Sequence, residues 1–459
     1  MAMHFRPRCA MGDAMITKII PRPEHAISRK QLNRSALQTL YRLQDHGFTA
    51  YLVGGCVRDL ILGRIPKDFD ICTNATPGQI KKMFRNCRLV GRRFRLAHLH
   101  FRDEIIEVAT FRATAANDDG SADEANRPDS PPRHLKNEDG MIIRDNIFGT
   151  PEEDALRRDF TINALAYNIA DYSVIDFTGG LTDLEQRLIR PIGDPLVRFT
   201  EDPVRMIRAI RFAATLDFAI EQETWNIIRN QASTIKRAAP ARLYEEILKL
   251  FLLGSAGRVF VLLEESGLLK ALFPWLNRWL QGGGGRSELI NKTLQWLDNM
   301  VHEGTPPSVG LMLAALFGPS LEDQALVRHR AGIPYQQALH ACCSSLYEEL
   351  RETLSFPAKV GNQLRNILSL QPSLRKFPPR RPGSLVNRQD FAAARNYLRI
   401  MADAKGETLP ARDWWDAYIE GRVIESSAEA VPAAPAAKRA RKKRRRRRSP
   451  PPKISNQLL

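Results

Sequence analysis

The pattern of apolar residues changes about 180 residues into the chain, and this change is the strongest constraint on the fold. Before that point, short apolar runs of strand character alternate with helical patterns, as in mixed α/β domains. From about residue 195 onward, apolar residues recur almost everywhere at helical spacing. The sequence therefore predicts an α+β protein in which a mixed α/β head precedes an all-α neck and body.

The elements of the head can be placed from caps and periodicity. A helix is predicted over 35–46, ending at Gly47 in the manner of a C-cap, and Thr76 and Thr150 are suited to cap two further helices. Strands are predicted at 49–53, 69–73, 97–101 and 105–110, with a hairpin formed by 164–169 and 173–177. Helices of the second part are predicted at 204–216, 243–253, 259–269, 309–317, 360–368 and 388–401.

Length and composition divide the chain into several parts, because 459 residues exceed one ordinary domain. The predicted parts are an irregular basic segment (1–30), the head (31–180) with a loop-like insertion near 114–141, a helical neck (181–255), an all-α body (256–425), and a disordered basic tail (426–459).

Positive charge is concentrated at the end of the chain. The formal charge is +17, and eleven lysines and arginines lie between residues 438 and 453 without an acidic residue among them. A block of like charges this dense is predicted to be disordered. A phosphate backbone is its favoured partner through counterion release, while an anionic membrane surface or a simple solubilising role are alternatives.

Cysteine usage and hydropathy indicate a cytoplasmic protein. The six cysteines show neither a CxxC pair nor zinc-like spacing with histidine, which is typical of reduced thiols. No stretch approaches the ~20 apolar residues of a membrane helix, and the first residues lack the apolar core of a secretory signal. Membrane contact is not excluded by these observations.

Two glycines and two aspartates suggest a nucleotide site. Gly54 and Gly55 end an apolar run and precede a helical pattern, so their backbone N–H groups could approach phosphate. Asp68 and Asp70 follow at i and i+2, where a β-strand would project both carboxylates to one face and form a hard-oxygen site suited to Mg²⁺. A glycine turn and a D-x-D are each common structural features, but together, with basic Arg58 between them, they indicate phosphoryl or nucleotidyl transfer.

Further polar residues could complete such a site. Glu107 lies in a predicted strand and could supply a third carboxylate for a two-metal mechanism, a role for which Glu104 competes. In the stretch 157–163, arginines including Arg158 suit triphosphate oxygens, while Asp159 and Asn163 suit a ribose hydroxyl. A salt-bridged helix end is the structural alternative for this stretch.

Asp202 and Arg205 form a candidate base-reading pair. They are three residues apart near the start of a predicted helix, and therefore neighbours on one face. An arginine can donate to a ring nitrogen while an aspartate accepts from an exocyclic amine, which fits adenine and cytosine and rejects guanine and uracil. The pair cannot by itself distinguish ATP from CTP, and an ion pair or helix cap is the structural alternative.

These motifs, in this order over residues 50–215, resemble the bacterial class II branch of the nucleotidyltransferase superfamily, which contains tRNA CCA-adding enzymes and bacterial poly(A) polymerases. The matching stretches are Leu-Val-Gly-Gly-Cys-Val-Arg-Asp at 52–59 with Asp-Phe-Asp at 68–70, Arg-Arg-Asp-Phe-Thr-Ile-Asn-Ala-Leu at 157–165, and Glu-Asp-Pro-Val-Arg at 201–205. The segment 89–99 resembles the one that marks poly(A) polymerases. Residues 370–459 match this resemblance least well.

The resemblance implies a polymerase-beta-like head and assigns a role to each group of residues. It implies Mg²⁺ at Asp68 and Asp70, with Glu107 as third carboxylate. It also implies nucleotide binding by the remaining candidates, with Asp202 and Arg205 reading the base: Gly54, Gly55, Arg58, Arg158, Asp159, Asn163, Asp202 and Arg205.

The sequence thus predicts template-independent addition of AMP from ATP to RNA 3′ ends. A CCA-adding enzyme, which would also use CTP, is the first alternative, and a non-catalytic RNA-binding protein is the second. The expected partners are RNA 3′ ends and ATP, and the resemblance implies that the all-α body (256–425) binds the RNA. Proteins of RNA decay are further candidate partners, and the chain is expected to be a monomer.

Overall fold

The computed structural model describes residues 17–91, 95–102, 104–113, 135–136, 142–144, 148–379 and 381–421. Most of the predicted insertion near 114–141 and the whole basic tail beyond residue 425 lie outside these residues. The chain divides into two compact units, Met1–Arg412 and Asp413–Leu459. In the second unit, Trp414 and Tyr418 stack with ring centroids 4.9 Å apart.

Eight strands of the first unit form one mixed sheet. The strand order is β1-β10-β9-β2-β3-β6-β5-β4, in which β3 and β6 run parallel and the other neighbours antiparallel. The strands are β1 (Lys18–Ile20), β2 (Ala50–Val53), β3 (Ile71–Thr73), β4 (Cys87–Val90), β5 (Leu96–His100), β6 (Ile105–Thr110), β7 (Leu135–Lys136), β8 (Ile142–Arg144), β9 (Leu165–Asn168), β10 (Val174–Asp176), β11 (Leu188–Ile189) and β12 (Ala219–Ile220).

The pairs β7–β8 and β11–β12 form two further small sheets. The predicted strands of the head and the hairpin β9–β10 are confirmed, with ends shifted by one or two residues. One shift affects the site: β3 begins at Ile71 and not at residue 69, so Asp68 and Asp70 precede the strand. The chain is already held at Asp70, whose carbonyl accepts a hydrogen bond from the N–H of Val53 at 3.1 Å.

The prediction that residues 1–30 are irregular is wrong at residues 18–20. Residues 18–20 form the edge strand β1, which pairs with β10 through Lys18–Asp176, Ile19–Ile175 and Ile20–Val174. Three residues are too few to show an alternating pattern, so this strand depends on its partner and gives no signal of its own. The strands β4, β11 and β12 were likewise not predicted.

The predicted helix caps of the head are confirmed. Thr76 and Thr150 each form a capping box, with Gln79 and Glu153 respectively. Gly47 adopts a φ of +79° after the first helix, as a C-terminal glycine does. The helices of this part are α1 (Arg34–Asp45), α2 (Gly55–Ile61), α3 (Pro77–Met83), α4 (Pro151–Leu156), α5 (Gly180–Glu185), α6 (Pro195–Glu201) and α7 (Val204–Leu216).

Within the described residues, helices account for nearly all of the chain after β12. They are α8 (Gln222–Gln231), α9 (Pro240–Leu252), α10 (Ala256–Glu265), α11 (Leu268–Leu272), α12 (Pro274–Leu280), α13 (Arg286–His302), α14 (Val309–Arg330), α15 (Tyr335–Thr353), α16 (Ala358–Leu374), α17 (Pro382–Val386), α18 (Phe391–Lys405) and α19 (Pro410–Ile419). The predicted change from a mixed head to an all-α region is therefore confirmed.

Two of the predicted helices differ from the structure by more than a shift of their ends. The pattern at 259–269 is divided between α10 and α11, because Gly267 adopts a φ of +76° and interrupts the helix. The helix predicted at 309–317 continues to Arg330 through Pro319, a residue that usually ends a helix. Leu321 and Ala325 beyond the proline are fully buried, so packing of the later turns offsets the lost hydrogen bond.

Two further sequence predictions can be compared with the described residues. Among them, no helix is both long and apolar enough to cross a membrane. Cys56 and Cys72 are free and buried, as predicted, and burial raises the pKa of each thiol to about 12. Both thiols are therefore protonated near neutral pH and are poor nucleophiles.

Candidate active site

A pocket of about 990 Å³ brings the sequence-predicted residues together. Ten of the eleven candidates line it, and Glu107 is the exception. The ten residues are Gly54, Gly55, Arg58, Asp68, Asp70, Arg158, Asp159, Asn163, Asp202 and Arg205. They come from three separate stretches of sequence, so the fold and not local sequence creates their proximity.

Gly54 forms a tight turn between β2 and α2. Its φ of +78° and ψ of −137° belong to a conformation that other residues rarely adopt. A Cβ at Gly54 would lie 2.9 Å from Nη1 of Arg158, and one at Gly55 would lie 3.4 Å from Nη2 of Arg58. The two glycines therefore allow two guanidinium groups to lie against the backbone.

The turn differs in one detail from the expected phosphate cradle. The N–H of Gly54 donates to the carbonyl of Leu165 in β9 at 3.1 Å. This N–H is therefore already used in hydrogen bonding to the sheet. The first N–H groups of α2 have no acceptor within the helix. Any phosphate contact from this backbone would thus come from the start of α2, beginning at Gly55, and not from Gly54.

Arg158 is held from two sides beneath the turn. Its Nη2 donates to Oδ2 of Asp154 at 3.0 Å, and its Nη1 donates to the carbonyl of Asn163 at 3.3 Å. Burial alone would lower the pKa of Arg158, but the nearby negative groups, Asp154 and Asp70 among them, outweigh it and raise the value. At Asp154, burial alone would raise the pKa. The positive charges of Arg158 and Arg157 outweigh it and hold the pKa of Asp154 below its usual range.

A chain of hydrogen bonds links Arg58 to α7. Nη1 of Arg58 donates to Oδ1 of Asn163 at 2.7 Å, and Nδ2 of Asn163 donates to Oδ1 of Asp159 at 3.1 Å. Nε of Arg208 then donates to the other oxygen of Asp159 at 2.7 Å. Although burial opposes ionisation, Arg208, Asn163 and Arg205 lower the pKa of Asp159 to about 2, so this carboxylate is charged.

Asp202 and Arg205 lie close together, but only Arg205 belongs to a helix. Asp202 follows the end of α6, whereas Arg205 lies in the first turn of α7 beyond Pro203, so the prediction of one shared helix is wrong. Pro203 lacks an N–H and cannot continue the ladder of α6. Both side chains still line the pocket.

Neither residue of this pair bonds to the side chain of the other. The carboxylate of Asp202 accepts from Nη1 and Nη2 of Arg242 in α9 at 3.2 and 2.8 Å. Nη1 of Arg205 donates to the carbonyl of Arg198 at 3.0 Å and to Glu201 at 3.3 Å. Each group is therefore oriented by a partner outside the pair.

Asp68 and Asp70 form the acidic side of the pocket. Loss of hydration, together with the negative charges of Glu107 and Asp68, raises the pKa of Asp70 to about 6, against the opposing charge of Arg158. Burial and the neighbouring carboxylates thus both disfavour the charged form of Asp70. Within the described part of the chain, no group of three or more His, Cys, Asp or Glu side chains is arranged to hold a metal ion.

Glu107 lies beside Asp70 although it does not line the pocket. In the parallel pair β3–β6, Ile71 is opposite Val108, so the preceding residues of the two strands are neighbours. Its carboxylate is half exposed and lies 3.4 Å from Nε2 of His98. The rival carboxylate, Glu104, instead accepts a hydrogen bond from the Asn33 side chain at the start of α1.

Several residues of the site were missed from sequence. Arg208 and Phe212 continue the face of α7 that carries Arg205, and helical spacing could have identified them. Phe212 lies under the guanidinium groups of Arg58, Arg208 and Arg211, 5.3, 5.4 and 4.3 Å from its ring centre. Glu246 in α9 accepts from Arg208 and Arg211 at 3.3 and 3.1 Å, a pairing that no local pattern indicates.

Comparison with known proteins decides between the alternatives left by the sequence. Three family models match: the poly(A) polymerase head domain (50–190), a probable RNA- and SrmB-binding site of polymerase A (217–280), and a polymerase A arginine-rich C-terminus (331–450). Poly(A) polymerase I of Salmonella typhi is 43% identical over 402 residues, which cover 86% of this chain and 84% of that protein. The chain belongs to the bacterial poly(A) polymerase family.

The CCA-adding relatives match a smaller part of the chain. The enzyme of Staphylococcus aureus is 38% identical over 221 residues, which cover 48% of this chain and 50% of that protein. The crystal structure of the Bacillus stearothermophilus CCA-adding enzyme in complex with CTP aligns with a TM-score of 0.55 and 27% identity, over 84% of this chain and 82% of that one. The poly(A) polymerase family therefore shares the tRNA nucleotidyltransferase fold, as predicted.

Membership of the poly(A) polymerase family establishes the type of reaction. The chain is a polynucleotide adenylyltransferase, and its activity is polyadenylation by nucleotidyl transfer. The family implies a requirement for a divalent metal ion. The roles of individual residues are inferred from the geometry of the pocket.

Proposed function

We propose that this chain adds AMP from ATP to RNA 3′ ends in the pocket formed by Gly54, Asp68 and Asp70, with Mg²⁺ as the metal ion. The observation that carries the proposal is the convergence of ten candidate residues on one pocket. These residues supply metal-binding oxygens, phosphate-binding guanidinium groups and a base-reading pair.

The acidic side of the pocket fits Mg²⁺. Asp68 and Asp70 offer carboxylate oxygens, which are the ligands that this ion prefers. Burial and the neighbouring Glu107 raise the pKa of Asp70, and a bound cation would favour its charged form again. When bound there, Mg²⁺ would polarise the reacting phosphoryl oxygens and lower the pKa of the attacking hydroxyl. Glu107, beside Asp70, is proposed as the third carboxylate.

The basic side of the pocket fits the triphosphate. Arg58 and Arg158 are proposed to donate to its oxygens, together with the N–H groups at the start of α2. Both guanidinium groups are already anchored, by Asn163 and Asp154 respectively, so binding costs little side-chain entropy. Asp159 and Asn163 line the same wall and are proposed to orient the ribose.

The reaction needs no covalent enzyme intermediate. The 3′ oxygen of the RNA bonds to the α-phosphorus of ATP while the bond to the bridging oxygen of the β-phosphate breaks. Pyrophosphate leaves, and the hydroxyl proton is released to solvent. The thiols near the site, Cys56 and Cys72, are protonated and do not compete as nucleophiles.

Asp202 and Arg205 are proposed to read the base of ATP. The carboxylate would accept from the 6-amino group of adenine while the guanidinium donates to the ring nitrogen N1. Guanine presents an acceptor and a donor in the reversed order, which leaves both protein groups unpaired and costs binding energy. Arg242 and Glu201 orient the two readers.

Replacing Asp202 with asparagine should reduce the preference for ATP over GTP by about tenfold, because the amide can also donate to the guanine oxygen. The measurement is kcat/KM for addition of each nucleotide to a labelled RNA. Arg242→Met is the matched control, since it breaks the same ion pair but keeps the carboxylate. That variant should lose affinity for ATP without accepting GTP, and an equal gain of GTP use in both variants would contradict base reading by Asp202.

The direct test of the proposed function is extension of a 5′-labelled RNA with Mg²⁺ and each nucleoside triphosphate supplied singly and then together. A long ladder with ATP alone is expected. Addition of only two C and one A to a truncated tRNA would indicate the CCA-adding reaction instead. Absence of extension despite RNA binding would leave a binding role alone.

The basic tail is proposed to bind the RNA backbone, in addition to contacts from the RNA-binding region at 217–280. Deleting residues 438–453 should weaken RNA binding and make the slope of log K against log salt shallower by about four, if roughly half of the eleven charges contact phosphates of single-stranded RNA. Fluorescence anisotropy across a salt series measures both quantities.

A variant in which these eleven lysines and arginines become glutamine is the control for chain length. It should behave like the deletion, because the proposed contacts depend on charge and not on sequence. An unchanged salt slope in both variants would show that the tail serves another purpose.

A further inference from the structure

The segment 89–99 resembles the one that marks poly(A) polymerases. Its described residues, 89–91 and 95–99, lie in the sheet beside the carboxylates proposed as catalytic. These residues contribute to β5, which pairs with β6, and to β4, which pairs with β5. The cross-strand register places Arg88 opposite His98 and His98 opposite Glu107. Because β6 pairs with β3, the row continues from Glu107 to Asp70.

Alternation along the strands places this row on the pocket side of the sheet. Ala97, Leu99, Ile106 and Val108 are buried on the opposite face. His98 and Glu107 therefore project to the same side as Asp70. A histidine of this segment is thus the immediate cross-strand neighbour of the proposed third carboxylate.

Glu107 needs such a neighbour to remain near the site. Its side chain is 50% exposed, and the register of β3 and β6 places it beside the Asp70 side chain, which is also a carboxylate. Because two neighbouring carboxylates repel each other, the Glu107 side chain would turn toward water if no other group held it. Nε2 of His98 lies 3.4 Å from Oε1 of Glu107, and the His98 side chain is only 21% exposed. The ring is therefore the better-ordered member of the pair.

We infer that His98 is a positioning residue for nucleotidyl transfer, which holds the Glu107 carboxylate beside Asp70 so that the acidic side of the pocket can bind its metal ion. The inference rests on the proposed role of Glu107. Groups that orient metal-binding carboxylates typically change metal affinity or activity by about 10–100-fold when they are replaced. It also gives a physical role to a residue of the segment 89–99.

His100 supplies a matched control within the same strand. It projects from the same face two residues further on, with its ring centre 6.4 Å from that of His98. Its cross-strand partner is Ile105, which has no carboxylate. Replacing His100 therefore tests the loss of an imidazole from this surface without the loss of a partner for Glu107.

The first experiment compares steady-state extension by His98→Ala, His98→Gln and His100→Ala. We expect kcat to fall about tenfold in His98→Ala while KM for ATP and for RNA changes less than about twofold. Glutamine can place an N–H near the position of Nε2, so His98→Gln should recover most of the rate. His100→Ala should match the unaltered protein, and circular dichroism confirms that each variant is folded.

The second experiment measures metal binding without turnover. Mn²⁺ affinity is determined by calorimetry in the presence of an ATP analogue with a methylene group between the α- and β-phosphorus atoms. His98→Ala and Glu107→Gln should each weaken Mn²⁺ binding by about tenfold. The double variant should be no weaker than Glu107→Gln alone, because His98 acts through Glu107.

The outcomes separate this inference from the proposed function. Normal kcat and Mn²⁺ affinity in His98→Ala, with an impaired Glu107→Gln, would overturn the role of His98 alone. Additive losses in the double variant would overturn it as well, since His98 would then act independently of Glu107. A fully active Glu107→Gln would overturn the proposed third carboxylate and the inference with it.

Discussion

Replacing Asp68 with asparagine is expected to reduce AMP addition by at least about a thousandfold, whereas RNA affinity should change by only a few-fold. Asparagine preserves the size of the side chain but removes the negative charge that would hold the metal ion. Loss of the several kcal/mol of transition-state stabilisation that a catalytic metal supplies corresponds to this factor. Single-turnover extension of a labelled RNA measures the rate, and anisotropy measures RNA binding.

Glu104→Gln is the matched control for Asp68→Asn. It also removes one negative charge from the head, but the Glu104 carboxylate contacts Asn33 and does not line the pocket. This variant should retain nearly all activity. An Asp68→Asn protein that remains folded and extends RNA at a normal rate would refute the assignment of Asp68 as a metal ligand.

Substituting alanine for Gly54 is expected to cost about 1–3 kcal/mol of stability and about a hundredfold in kcat/KM for ATP. The stability loss arises because Gly54 has a φ of +78°, which alanine adopts only under strain. The activity loss arises because the new Cβ would lie 2.9 Å from Nη1 of Arg158 and displace that guanidinium group. Losing a charge-assisted contact of this kind costs up to about 3 kcal/mol.

Gly63→Ala separates the two effects. Gly63 has a φ of +69°, but no atom lies within 4 Å of the position of its Cβ. This variant should show only the loss of stability, measured as a decrease in the midpoint of thermal unfolding, with normal KM for ATP. If Gly54→Ala affected only stability in the same way, Arg158 would not depend on the turn.

The fold was predictable where local chemistry determines it. Thr76 and Thr150 are capping residues with a glutamine or glutamate three positions later, and both begin helices as predicted. The edge strand at Lys18–Ile20 was not predictable, because its conformation depends on hydrogen bonds to residues about 155 positions later. The continuation of α14 through Pro319 likewise depends on tertiary burial.

The composition of the pocket was predictable from motifs, but its hydrogen-bond partners were not. Asp202 and Arg205 were predicted from sequence as the two base-reading residues. The ion-pair partners that orient them, Arg242 for Asp202 and Glu201 for Arg205, were not predicted. Arg242 is on another helix, α9, and by charge alone many other arginines of the chain could have paired with Asp202. Arg242 reaches Asp202 because α9 packs against α7, and no local sequence pattern predicts that packing.

The sheet order has a consequence for the protein while it is being synthesised. β9 lies between β2 and β10, and its Leu165 carbonyl accepts the N–H of the Gly54 turn. A nascent chain that has left the ribosome only as far as residue 160 already contains Asp68, Asp70 and Glu107, but not the strand that completes the turn. Contacts between distant segments form late. Prematurely terminated chains of this length would therefore carry the acidic residues without a pocket, and the cell would be spared unregulated RNA extension by such fragments.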